Sequence, residues 1–93
     1  PPTTFKSLTK VFESLLEHEV NVTESINNIV GLCLEQKDFT THNFMQWYVA
    51  EQLEEEALAR SILDKLTMIG EDKGGLYLFD RDLNDIDTTD NVA

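Results

Sequence analysis

The hydrophobic residues in the first third of the chain recur every three or four positions, as on one face of a helix. This spacing predicts a helix over residues 5–36. The stepping fails once, between Leu15 and Val22, and Glu19 occupies the position where a hydrophobic residue is expected. We therefore expect a long amphipathic helix with a carboxylate in its apolar stripe. The stripe consists of Leu8, Phe12, Leu15, Val22, Ile26, Ile29 and Cys33.

The same spacing predicts a second helix over residues 41–69. Its stripe has a longer gap, between Tyr48 and Leu58, and the stepping places Glu51 and Glu55 in that gap. Both predicted helices thus carry glutamates where a packed core is expected. The hydrophobic members of the second stripe are Phe44, Tyr48, Leu58, Ile62, Leu66 and Ile69.

Capping residues set the expected ends of these helices. Thr3 or Thr4 is suited to begin the first helix, and Thr40 or Thr41 the second, because their hydroxyls can accept hydrogen bonds from free backbone N–H groups. Gly70 is suited to end the second helix. Since the link between the helices is short, we expect an antiparallel pair, as in half of an up-and-down four-helix bundle.

The last quarter of the chain is expected to add only a short helix and a polar tail to the fold. The run Leu76-Tyr77-Leu78-Phe79 follows two glycines and predicts a short third helix over residues 75–83. Residues 84–93 are polar and acidic and are expected to form a frayed tail. The predicted fold is all-α.

The composition restricts the partners of such a chain. Two long helices cannot cover both of their apolar stripes alone, so a 93-residue chain of this kind should bind a partner. The net charge of -11 disfavours nucleic acid and anionic membranes, and favours cations. No apolar run approaches the roughly 20 residues of a membrane span, and the N-terminus lacks the pattern of a signal peptide. We expect a soluble, cytoplasmic protein, with its single cysteine, Cys33, in the core.

A charged glutamate at a core position costs several kcal/mol unless something compensates the charge. The options are a basic partner, a protonated and hydrogen-bonded carboxyl, or a metal ion. None of the seven Lys and Arg residues lies on either stripe near Glu19, Glu51 or Glu55. A metal ion is therefore the favoured explanation, with iron, manganese and magnesium as candidates for carboxylate ligands.

Simpler interpretations remain open. The run 54–56 is typical of a solvated helix face, and Glu19 fits a position at the edge of a bundle. Trp47 and Tyr48 are interpreted as core rather than redox-active residues. A non-catalytic helical hairpin that oligomerises and binds cations weakly is the main alternative function. A rubrerythrin-like di-metal protein is disfavoured, because Glu54 stands where its fourth helix would place a histidine after Glu51.

Residues 44–56, with the sequence FMQWYVAEQLEEE, closely resemble the fourth helix of bacterial non-haem ferritins. The resemblance extends back through His18-Glu19 to the third helix, and forward through residues 75–77 and Asp80 to the short terminal helix. It covers nearly the whole chain. It implies a cytoplasmic shell of 24 four-helix subunits that oxidises Fe(II) at a di-iron centre in each bundle and stores the ferric product.

The resemblance also implies site residues. Glu19 corresponds to the third-helix ligand of the second iron, and Glu55 to a fourth-helix glutamate shared with a neighbouring third iron site. Glu51 and Glu54 correspond to the other fourth-helix ligands of that third site, and Gln52 to a polar residue that lines the centre. Residue spacing alone selects the same glutamates except Glu54, and it does not select Gln52.

The first two helices of the family, which carry a Glu ligand and a Glu-x-x-His pair, have no counterpart in this sequence. We therefore expect the N-terminal half of a ferritin subunit as partner, and ferroxidase activity only when that half is supplied. Because the chain begins without Met, it is expected to be a cleaved, truncated or separately built half.

Overall fold

The structure, a computed structural model, consists of three helices and describes the backbone of residues 4–92 and the side chains of residues 4–85. Helix α1 spans Phe5–Glu35, α2 spans Phe39–Ile69 and α3 spans Lys73–Val92. Helices α1 and α2 form a long antiparallel pair, so the predicted all-α fold is confirmed. No helix within the described part of the chain is long and apolar enough to cross a membrane.

The start of α1 is fixed by a reciprocal pair of hydrogen bonds. The Thr4 Oγ1 atom accepts a hydrogen bond from the backbone N–H of Ser7 at 3.1 Å, and the Ser7 Oγ atom accepts one from the backbone N–H of Thr4 at 3.1 Å. This capping box satisfies two donors that a helix otherwise leaves free. Of the two expected caps, Thr4 is confirmed, and Thr3 lies outside the described residues.

The link between α1 and α2 contains a cap that the sequence pattern did not identify. The residue that caps α2 is Asp38, rather than Thr40 or Thr41. Its carboxylate accepts hydrogen bonds from the hydroxyl (2.6 Å) and from the backbone N–H (3.1 Å) of Thr41. These bonds hold the pKa of Asp38 below its usual value of 3.8. The second helix therefore begins two residues earlier than predicted, at Phe39.

A glycine ends α2, as predicted. Gly70 has a φ of 64°, a conformation that residues with a Cβ atom rarely adopt, and its N–H donates to the carbonyl of Leu66 at 3.0 Å. Two residues later the chain turns into α3, where the Asp72 carboxylate accepts a hydrogen bond from the N–H of Gly75 at 2.6 Å. The turn from α2 to α3 thus depends on one glycine and one acidic cap.

The third helix is longer than predicted. It begins at residue 73 instead of 75 and continues to Val92, so the expectation of a frayed tail from residue 84 is wrong for the backbone of residues 84–92. Residue 93 lies outside the described part. Polar and acidic composition disfavoured a helix there, but the segment contains no proline and only continues a helix that has already begun.

The core lies where α3 packs against the end of the α1/α2 pair. Leu66 is fully buried, and Ile62 and Phe79 are nearly so. The Phe79 ring meets the Phe12 ring edge to face, with 5.8 Å between their centroids. Further along the pair, Cys33 is buried as predicted. The hydrophobic residues packed around the cluster are Phe5, Leu8, Phe12, Leu58, Ile69, Leu76 and Leu83.

The other half of the α2 stripe has no such cover. Phe44 is 64% exposed, Trp47 62% and Tyr48 39%, so the interpretation of Trp47 and Tyr48 as core residues is wrong for this chain by itself. Their rings contact one another, with centroids 5.5 Å apart for Phe44 and Tyr48 and 5.1 Å for Trp47 and Tyr48. We call these three aromatic residues, with the neighbouring Glu51 and Glu55, the open face.

Candidate functional site

The predicted site residue Glu19 lies half-buried in the middle of α1 and is held by Gln52 of α2. The side-chain amide of Gln52 donates two hydrogen bonds, one to the Glu19 carboxylate (Oε2, 2.9 Å) and one to the Glu19 backbone carbonyl (2.9 Å). Gln52 is the one buried polar residue among the described side chains, with 8% of its surface exposed. Because both amide hydrogens are used on one residue, Gln52 fixes the orientation of the Glu19 side chain.

The remaining predicted ligands lie on α2 and share no hydrogen bond with Glu19. Glu51 is half-buried, whereas Glu54 and Glu55 are exposed. Within residues 4–85, no three His, Cys, Asp or Glu side chains lie close enough together to hold a metal ion. Of the predicted set, direct hydrogen bonds therefore join only Glu19 and Gln52.

Three polar residues beside this pair were missed by the sequence analysis. The Thr23 hydroxyl of α1 contacts the Glu56 carboxylate of α2 at 3.0 Å, and the other oxygen of Glu56 pairs with Arg60 at 3.2 Å. Thr23 follows Glu19 by four residues, so it lies one turn further along the same face of α1. That spacing was the signal available in the sequence.

The ion pair between Glu56 and Arg60 neutralises one acid of the glutamate run. Its side chains are 21% and 51% exposed, and such partly solvated pairs contribute at most about 1 kcal/mol. Glu51, Glu54 and Glu55 do not belong to this pair or to the pair of Arg81 with its neighbour. Their charges therefore add to the negative potential around the open face, which attracts cations.

The chemistry that the site can support follows from its donor atoms. Carboxylate oxygens are preferred by hard and borderline cations, including ferrous and ferric iron. The half-buried Glu19 carboxylate is held by a neutral amide, which orients one oxygen without adding a charge. Such a glutamate can serve as one ligand of a metal site whose other ligands come from facing helices.

Comparison with known proteins identifies the family. The ferritin-like domain of the ferritin family matches residues 1–69, which include Glu19, Gln52 and both long helices up to the end of α2. The chain belongs to the ferritin family. A probable bacterial non-heme ferritin-like protein of Haemophilus influenzae is 51% identical over 95% of this chain, and the bacterial non-heme ferritin of Campylobacter jejuni is 54% identical over 92%.

Solved ferritin structures have the same arrangement of helices. An engineered closed form of the Archaeoglobus fulgidus ferritin is 51% identical and superimposes with a TM-score of 0.81 over 89% of this chain. The Chlorobium tepidum ferritin is 42% identical, with a TM-score of 0.69 over 90%. The chain covers 53% and 52% of the two bacterial relatives and 51% of each of these structures. It therefore spans about half the length of a ferritin subunit.

Proposed function

We propose that this chain supplies the third and fourth bundle helices of an iron-storing ferritin subunit, and that Glu19 is a ligand of a di-iron centre in the completed bundle. This proposal is supported mainly by the two 2.9 Å hydrogen bonds that the buried Gln52 donates to Glu19. A carboxylate in a hydrophobic stripe has a reason to be there if it faces a metal ion. Membership in a family named for ferritin makes iron the first candidate.

The proposed roles on α2 follow the resemblance residue by residue. Glu55 is a shared ligand between the di-iron centre and a third iron site, and Glu51 and Glu54 are the other α2 ligands of that third site. Gln52 positions Glu19 and lines the centre. Fe(II) is the substrate, and at paired sites it gives up electrons to oxygen or peroxide.

The open face is the proposed contact with the rest of the subunit. Its exposed aromatic rings and the half-buried Glu51 continue the stripe whose other half is buried under α3. In the proposed bundle, the first two helices cover these rings and bring the Glu-x-x-His ligands that this chain lacks. The proposed assembly is a shell of 24 such subunits in the cytoplasm.

The proposal is tested by iron oxidation in shells with complete bundles, obtained by supplying the first two helices of a closely similar bacterial ferritin. Glu19→Ala and Glu55→Ala should each slow the formation of Fe(III), measured by absorbance after mixing with Fe(II) in air, by roughly tenfold or more. Glu17→Ala is the matched control, because Glu17 is exposed and lies two residues from Glu19 on a different face of α1.

Far-UV circular dichroism should show unchanged helix content in all three variants. If both site variants oxidise iron as fast as Glu17→Ala does, the site assignment is wrong. The alternative function, a hairpin that oligomerises without catalysis and binds cations weakly, would be favoured if the chain forms only oligomers of itself and the helices that carry Glu-x-x-His do not join it.

A further inference from the structure

A second set of hydrogen bonds crosses the helix pair one turn from Glu19. The Thr23 hydroxyl lies 3.0 Å from the Glu56 carboxylate and 3.0 Å from the backbone carbonyl of Glu19. Gln52 donates to the same carbonyl at 2.9 Å. The two contacts between the helices are therefore joined at the backbone of the candidate iron ligand.

The Thr23 hydroxyl has one hydrogen and two acceptors within reach. A carboxylate is the stronger acceptor, so the hydrogen is drawn to Glu56 on α2 rather than to the carbonyl on its own helix. Arg60 binds the other oxygen of Glu56 at 3.2 Å and so limits the orientations that this carboxylate can adopt. The Thr23 hydroxyl therefore links α1 to α2 through Glu56, while its oxygen stays 3.0 Å from the Glu19 carbonyl on its own helix.

The geometry of an antiparallel pair gives this bond a mechanical effect. A step of four residues along α1 corresponds to a step of four residues back along α2. Yet Glu19 is bonded to Gln52, and Thr23, four residues on, is bonded to Glu56, which is four residues on in α2 as well. The two contacts therefore cross, and sliding α2 along α1 in either direction stretches one of them.

We propose that Thr23 and Glu56 are positioning residues, which hold the register of α1 against α2 so that Gln52 keeps the Glu19 carboxylate oriented for metal. This inference rests on the proposed function, since it assigns Thr23 and Glu56 to the support of the same iron site. Neither residue needs to touch iron. Loss of their bond loosens the ligand without removing it, as happens when an outer hydrogen-bond partner of a metal ligand is lost.

The test compares Thr23→Val with Thr67→Val. The Thr67 hydroxyl lies 2.9 Å from the carbonyl four residues earlier, much as the Thr23 hydroxyl lies 3.0 Å from that of Glu19, but Thr67 is exposed and has no partner on α1. The difference between these variants therefore isolates the bond between the helices. Thr23→Ser, which retains the hydroxyl, should behave like the wild type.

The first readout needs no metal. In the chain as it stands, Thr23→Val should shift the side-chain amide signals of Gln52 in a ¹⁵N–¹H NMR spectrum, whereas Thr67→Val should leave them in place. The second readout is the affinity for Fe(II) alone, titrated without oxygen in shells with complete bundles. Thr23→Val should weaken it by roughly tenfold, and Thr67→Val should not.

The possible results separate the two proposals. The positioning role is overturned if Thr23→Val moves the Gln52 signals no more than Thr67→Val does, or if Glu19→Ala weakens Fe(II) binding while Thr23→Val does not. If Glu19→Ala itself leaves Fe(II) binding unchanged, the iron site fails and the positioning role fails with it. The positioning role is supported if Thr23→Val both shifts the Gln52 signals and weakens Fe(II) binding, and if Thr23→Ser behaves like the wild type in both measurements.

Discussion

The approach of α3 to α2 at Gly75 gives a prediction whose sign can be worked out from distances. A Cβ atom added at Gly75 would lie 2.7 Å from the Cγ2 atom of Ile69 and 3.1 Å from the Oδ2 atom of Asp72. Favourable contacts between carbon atoms are about 3.5–4.0 Å, so the overlap with Ile69 is roughly 1 Å. At Gly74 the nearest atom is Asp72 Oδ2 at 3.5 Å, an ordinary contact, which makes Gly74→Ala the matched control.

The magnitudes follow from two opposing terms. Replacing a helical glycine by alanine stabilises by up to about 1 kcal/mol, and this term is nearly the same at the adjacent positions 74 and 75. Overpacking costs about 1–3 kcal/mol, and Ile69 cannot easily yield because its branched side chain is stiff in a helix. Gly75→Ala should therefore be less stable than Gly74→Ala by about 1–3 kcal/mol.

Thermal unfolding followed by far-UV circular dichroism measures this difference. For a chain of this size, about 1 kcal/mol corresponds to roughly 4–8 °C in melting temperature. Gly75→Ala should thus melt at least about 4 °C below Gly74→Ala. Gly31→Ala, with no atom within 4 Å of the added Cβ, should melt at or above the wild type. Equal melting temperatures for the variants at 74 and 75 would refute the close packing of α3 on the end of α2.

Three further predictions concern the core, the buried amide and the cap. Leu66→Ala should lower the free energy of unfolding in urea by about 2–5 kcal/mol, while Met68, which is 86% exposed, should tolerate alanine. Similar losses of stability in the two variants would contradict the core assignment. Gln52→Leu should lower the free energy of unfolding by about 2 kcal/mol, because two hydrogen bonds are lost, whereas Gln46→Leu should change it little because Gln46 is exposed. Equal melting temperatures of these two variants would count against the Gln52 bonds. Because the pKa of Asp38 is lowered in the folded chain, its charge stabilises the fold above pH 3.8, and this stabilisation is lost as the pH falls through and below that value. The difference in melting temperature between the wild type and Asp38→Asn should therefore shrink at low pH. A difference that stays constant with pH would argue against this cap.

The two long helices could be predicted from the sequence because hydrophobic periodicity and capping residues are local features of the chain. Periodic hydrophobic positions and the glycine at 70 predicted α1 within one residue of its end and α2 at its end. The start of α2 was missed because an aspartate and a threonine can each cap a helix, and only the folded link shows that Asp38 accepts the bonds. The length of α3 was missed because composition says little about a helix that has already begun.

The candidate site was predictable only in part, for a related reason. Periodicity identifies Glu19 and Glu55 as positions on a stripe, but it does not say which element covers each stretch of the stripe. In this chain α3 covers the stretch around Leu66 and leaves Tyr48 and its neighbours exposed. The bond between Thr23 and the other helix depends on the register of the pair, which no pattern within one helix reveals.

We propose that the open face of this chain is completed by the other half of a ferritin subunit within a shell. Native mass spectrometry can detect such an assembly when the chain is produced together with the first two helices of a closely similar bacterial ferritin. We predict a shell-sized particle of 24 complete bundles that contains both parts in equal number. If this chain is found only alone or as a small oligomer of itself, the other half of a ferritin subunit does not complete its open face.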